Sequence, residues 1–141
     1  MPSRVVLDTN VLVAGLRSRR GASFRLLELV GAGAVRPVLS VPLVLEYEAV
    51  LKRQAEVLGF TPADIDGLVD DLCVLGERHA VHFLWRPTLR DASDEMVLEL
   101  AVAAACPHIV THNVRDFAGS GRFGVEVFTP QRWLRKTGAS R

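Results

Sequence analysis

An α/β protein, built as a three-layer α/β/α sandwich on a mostly parallel sheet of about five strands, is the fold class this sequence predicts. Three observations lead there. Short apolar runs stop on turn-forming polar residues, first where Val5 to Leu7 meets Asp8, Thr9 and Asn10, as buried parallel strands do when they deliver side chains to a carboxyl edge. Between those runs lie longer segments with helical apolar spacing. Strands alternating with helices imply a parallel sheet, right-handed crossovers and helices on both faces.

Taken in order, Val5 to Leu7 is the first strand, and the apolar pattern resumes behind it from Val11 to Leu16. Phe24 to Val30 predicts a helix, ended by Gly31, Gly33 and Pro37 before a second strand over Val38 to Val41. Ser40 and Pro42 start the next helix; Leu43, Val44, Tyr47, Val50 and Leu51 form its apolar face, with Glu46 near its first turn. Thr61, Pro62 and Asp64 combine an N-cap, a proline at the first helical position and an acid at the third, and Ile65, Leu68, Val69, Leu72 and Leu75 follow. Val81, Phe83 and Trp85 alternate with His82 and Leu84, which predicts a short third strand over Ala80 to Trp85. From Asp94 to Ala105 the chain is nearly all apolar after an acidic start, the pattern of a helix buried on most sides. His108 to Thr111 and Val125 to Phe128 are the last two strands, and Pro130 opens a terminal helix through Leu134.

The 141 residues predict one domain over the whole chain, 49% hydrophobic and 23% charged as in ordinary globular proteins. No apolar run approaches the roughly 20 residues that span a bilayer, and the start lacks a basic segment followed by a continuous apolar stretch. A cytoplasmic protein with no membrane partner is the expectation. Cys73 and Cys106 sit in apolar surroundings without metal-ligand spacing, so they read as reduced buried thiols. The net charge of +1 hides clusters: Arg17, Arg19 and Arg20; Arg86 and Arg90; Arg132, Arg135, Lys136 and Arg141. Such charge solvates a surface or, around an acidic site, suits a phosphate backbone.

Four places offer carboxylates to the carboxyl edge: Asp8 after the first strand, Glu46 on a helix, Asp91, Asp94 and Glu95 at the start of the buried helix, and Asp116 after the fourth strand. Each acid has an ordinary structural reading. Asp8 could cap a helix, Asp91 and Asp94 have capping-box spacing, Asp116 could begin a turn and Glu46 could be an exposed helix residue. Their joint placement asks for more, because clustered carboxylates repel unless a cation or protons neutralise them. Mg²⁺ and Mn²⁺ prefer such all-oxygen ligands.

With these residues in place the chain resembles the PIN-domain family of compact metal-dependent nucleases, over essentially its whole length. The resemblance rests on V-V-L-D-T-N (Val5 to Asn10), L-V-L-E-Y (Leu43 to Tyr47), R-D-A-S-D-E (Arg90 to Glu95) with L-E-L-A (Leu98 to Ala101), and I-V-T-H-N-V-R-D-F (Ile109 to Phe117). It implies that Asp8, Glu46, Asp94 and Asp116 are catalytic, metal-binding acids, with Asp91 in support, and that Thr9, Asn10, Thr111 and Asn113 orient them by hydrogen bonds. Many relatives carry Asp where this chain has Asn113, and here the acid follows at Asp116. One Mg²⁺ or Mn²⁺ is therefore the resting expectation, with a second bound more weakly or only alongside substrate phosphate.

The activity the resemblance implies is hydrolysis of RNA phosphodiesters, with Arg17, Arg19, Arg20 and Arg90 as candidates for flanking phosphates. Small relatives similar to the VapC group are toxins of toxin–antitoxin pairs, which implies a small antitoxin partner; a homodimer is compatible with the sequence. Other readings differ in observable ways. A phosphatase that forms an aspartyl-phosphate wants an acid where Asn10 stands, and a phosphate-receiving domain wants paired acids after the first strand and a later Lys. A non-catalytic module of the same fold, binding RNA or protein, would keep only part of the acid set. The histidines form no rival zinc site, since His79 and His82 lack a further ligand in zinc spacing and His108 and His112 flank a strand. His112 adjoins Asn113 and is placed to approach substrate, while Trp85 and Trp133 are read as packing residues.

Overall fold

The computed structural model describes residues 2–81, 89 and 91–138. Five parallel strands, β1 (Ser3–Leu7), β2 (Val35–Leu39), β3 (Glu77–Arg78), β4 (His108–Val110) and β5 (Glu126–Phe128), form one sheet in the order β3-β2-β1-β4-β5. Among the described residues six α-helices flank it: α1 (Thr9–Arg17), α2 (Ala22–Gly31), α3 (Val41–Leu58), α4 (Pro62–Leu75), α5 (Ala92–Ala103) and α6 (Pro130–Thr137). The predicted α/β/α sandwich is thus the fold observed. Helix α1 packs on α2, which also meets α6; α3 packs on α4, α1 and α5; and α5 lies against β1, β4 and β2. Among the described residues no helix is long and apolar enough to cross a membrane.

Local chemistry explains most boundaries. Val5, Val6 and Leu7 are wholly buried, as befits a central strand covered on both faces. Helix α4 begins on the capping box read from the sequence: Thr61 Oγ1 accepts from Asp64 N at 3.1 Å and the Asp64 carboxylate accepts from Thr61 N at 2.8 Å. Ser40 caps α3 and Thr129 caps α6, each just ahead of a proline in the first helical turn.

Three expectations need correction. The second strand runs over Val35–Leu39 and not Val38 to Val41, so Pro37 lies inside the strand, opposite Val5. Proline is tolerated there because β3 pairs only with Val38 and Leu39; up to Pro37, β2 is an edge where a missing N–H costs no ladder bond. The strand that pairs with β2 is Glu77–Arg78, whereas Ala80 and Val81 are irregular and His82 to Trp85 lie outside the described residues. The buried helix starts at Ala92, two residues before Asp94, because Asp91 is its N-cap, and it gives way at Ala104 and Ala105, the latter with φ 51°.

Candidate active site

Strand order reverses about β1 and β4, with β2 and β3 on one side and β5 on the other. Ligands of open α/β sheets bind at such a switch point, outside the carboxyl ends of the strands. Asp8 leaves β1 there and Thr111 leaves β4, the two strands being paired Val6 to Ile109 and Leu7 to Val110.

Asp8 is buried and fully engaged. One carboxylate oxygen accepts from Thr9 N at 2.8 Å, which makes Asp8 the N-cap of α1; the other accepts from Thr111 Oγ1 at 2.7 Å and Asn10 Nδ2 at 3.3 Å. The capping reading is therefore correct, and it leaves the carboxylate facing the switch point. Thr111 Oγ1 also accepts from Asn10 Nδ2 at 3.2 Å and from Asn113 N at 3.0 Å, while Asn10 Oδ1 accepts from His112 N at 3.1 Å. Asn113 thus joins the network by its backbone. Thr9 Oγ1 donates to Glu46 Oε2 at 2.6 Å, bringing the acid of α3 to the end of β1. Asp91 caps α5 through Ser93 N at 2.7 Å and Asp94 N at 3.3 Å, and its cap directs the first turn of α5, with Asp94 on it. Asp116 is exposed on a 3-10 turn, Val114–Phe117, anchored by buried Phe117.

These acids act on one another electrostatically. Burial, joined by the negative charges of Asp8, Asp91, Asp116 and Glu46, pushes the Asp94 carboxyl up to about 7. Burial also raises Asp8, against the hydrogen bonds from Thr111 and Thr9, and Glu46 and Asp91 add to the rise. No Lys, Arg or His among the described residues forms an ion pair with Asp8, Glu46, Asp91, Asp94 or Asp116. The donor set, all oxygen and without an ion-paired cation among the described residues, has the chemistry of a Mg²⁺ or Mn²⁺ ligand group. Among the described residues no three acids, histidines or cysteines are packed tightly enough to enclose an ion, so the fit rests on charge and donor type, not on a closed shell.

Two residues with roles here escaped the sequence reading. Tyr47, read as an apolar-face residue, is fully buried and its hydroxyl donates to the Leu7 carbonyl, which ties α3 beside Glu46 to the last residue of β1. Burial, with Asp8 and Glu46 nearby, pushes its phenol well above the usual range. Its place next to Glu46 was the available signal. Ser23 had none: it lies in the first turn of α2 and its Oγ is 2.8 Å from His112 Nε2.

The remaining candidates are structural or peripheral. His79 joins Arg4 in pairing with Glu77, and His108 accepts from Nε1 of buried Trp133 at 3.1 Å. Cys106 is buried and Cys73 half-buried, both free thiols. Arg19 and Arg20 are exposed, Arg17 reaches Gln54 at 3.5 Å, and Arg86, Trp85, Arg90 and Arg141 lie outside the described residues. Beside the acids an open depression of about 620 Å³ is lined by His112, Asn113, Val114, Arg115 and Asp116, so Arg115 is a cation next to the site.

Comparison with known families places residues 4–115 in a match to the PIN domain, a stretch that includes Asp8, Glu46, Asp91 and Asp94 and ends one residue before Asp116. No curated protein matches the chain.

Proposed function

The chain belongs to the PIN-domain family, whose members are in general nucleases, and from that premise we propose that it is a Mg²⁺- or Mn²⁺-dependent endoribonuclease. Its catalytic acids are Asp8, Glu46, Asp94 and Asp116. The observation that supports the reading is that these four acids, from four separate elements, act on one another at the switch point between β1 and β4, and that no Lys, Arg or His among the described residues is ion-paired with them. When bound, a divalent ion supplies activation of the attacking water and stabilisation of charge on the leaving oxygen. The protein's own part is to hold the ligands: Thr111 and Asn10 fix the Asp8 carboxylate, Thr9 fixes Glu46, and the Asp91 cap fixes the turn that bears Asp94. Arg115 and the exposed Arg19 and Arg20 are the cations available for flanking phosphates.

The biological role that the resemblance suggests for this nuclease is the toxin of a toxin–antitoxin pair acting in the cytoplasm, silenced by a small antitoxin protein. Purified protein is expected to cut single-stranded RNA with Mn²⁺ or Mg²⁺ and to stop in chelator, with Zn²⁺ a poor substitute at an oxygen-only site. Cleavage undiminished by exhaustive chelation rules out the mechanism.

A further inference from the structure

Beyond the acids, one side chain at the depression has a constrained hydrogen-bonding state. Ser23 is 3% exposed, and its hydroxyl has a single partner among the described residues, Nε2 of His112 at 2.8 Å. A buried hydroxyl proton left without an acceptor is costly. The only acceptor in reach among the described residues is Nε2, so the hydroxyl donates to it, and a ring whose Nε2 accepts carries its proton on Nδ1. The backbone beneath is held as well, because His112 N donates to Asn10 Oδ1, and Asn10 is bonded to Asp8. His112 is exposed at the same depression that Asp116 lines, and its Nδ1 has no partner among the described residues. The result is an N–H donor with a fixed ring and a fixed backbone, at the rim of a carboxylate cluster that would repel an unguided phosphate.

We propose that His112 donates Nδ1–H to a phosphate oxygen of the RNA strand next to the scissile bond, with Ser23 as the positioning residue that sets its tautomer and ring orientation. This contact deepens the nuclease reading and rests on it. Asparagine and glutamine separate the two ring nitrogens. The Asn amide nitrogen falls near the place of Nδ1 and keeps the donor, whereas the Gln amide falls near Nε2, keeping the Ser23 bond but losing the donor.

The test uses the whole protein. Imidazole ¹⁵N shifts are expected to show His112 protonated on Nδ1 in the parent and shifted toward Nε2–H in Ser23→Ala; a parent ring protonated on Nε2 overturns the proposal. Anisotropy of a fluorescein-labelled single-stranded RNA in Ca²⁺ should give a Kd raised roughly tenfold by His112→Ala and by His112→Gln, the size of one lost hydrogen bond to a charged group. In His112→Asn the Kd should stay within about threefold of the parent. A single methylphosphonate, stepped along the RNA, should weaken the parent at one position and add nothing there in His112→Ala, whereas full additivity at every position argues against a phosphate contact. An unchanged Kd in His112→Ala overturns this contact and leaves Mn²⁺-dependent cleavage standing. A His112-dependent Kd in a protein that does not cleave with Mn²⁺ overturns the nuclease reading instead.

Discussion

Asp94 is the residue whose chemistry departs furthest from that of a surface acid. Its carboxyl titrates near the ordinary 3.8 in the unfolded chain and is pushed up to about 7 in the folded protein, chiefly through burial and then through Asp8, Asp91, Asp116 and Glu46. Across that window the folded protein holds a proton that the unfolded chain has released. Stability from this group is therefore full below the lower value and is lost as pH rises through the upper one. Asp8 is raised too and acts in the same direction, while His108, lowered by burial, acts in the opposite one. Comparing Asp94→Asn with the parent cancels His108. In chelator and low salt the two should melt together near about pH 4, and the variant should melt higher near about pH 8; a gap that does not grow with pH would contradict the repulsion. Most of this chemistry was legible in the sequence, because Asp8, Asp94 and Asp116 follow strand ends or open a buried helix. The Thr9 to Glu46 and Ser23 to His112 contacts were not, since hydroxyl partners 37 and 89 residues apart leave no local periodicity.

Elements were read best where a cap defines them. The Thr61 and Asp64 box appeared as expected, and Asp64→Asn should cost no more than about 1 kcal/mol because Thr61 still caps the helix. Elements defined by tertiary packing were read worst. Pro37 looked like a helix stop, and only the shortness of β3 makes it acceptable inside β2. The turn from α4 into β3 likewise depends on a close approach that sequence does not display: a Cβ on Gly76 would sit 2.8 Å from the Leu72 carbonyl oxygen and 2.9 Å from that of Pro37. Both are backbone atoms and cannot step aside cheaply. Gly76→Ala should therefore lower stability by about 1–3 kcal/mol, read as a fall in the urea midpoint with an unchanged slope. A midpoint equal to the parent's would mean that the α4 end is free to shift.

For the whole molecule, topology does what no single motif does. The order β3-β2-β1-β4-β5 puts the ends of β1 and β4 side by side, so acids and hydroxyls scattered from position 8 to position 116 meet at one edge. Alternating strand and helix patterns were enough to predict that edge, because parallel strands all end on the same side. Side-chain convergence across it needed the coordinates. If the edge is a cation site, Mg²⁺ at about ten times its dissociation constant should stabilise the parent by about 1.4 kcal/mol and Asp94→Asn by less, seen as a smaller rise in Tm. The most direct measurement is the rate of single-stranded RNA cleavage in Mn²⁺ by the parent, Asp8→Asn and Asp64→Asn, each first shown to be folded. Both variants exchange a capping carboxylate for an amide, but only Asp8 lies at the switch point. Asp8→Asn should lose activity on the order of a hundredfold or more while Asp64→Asn keeps the parent's rate, and equal rates in the two variants would contradict a metal-dependent nuclease site built on Asp8.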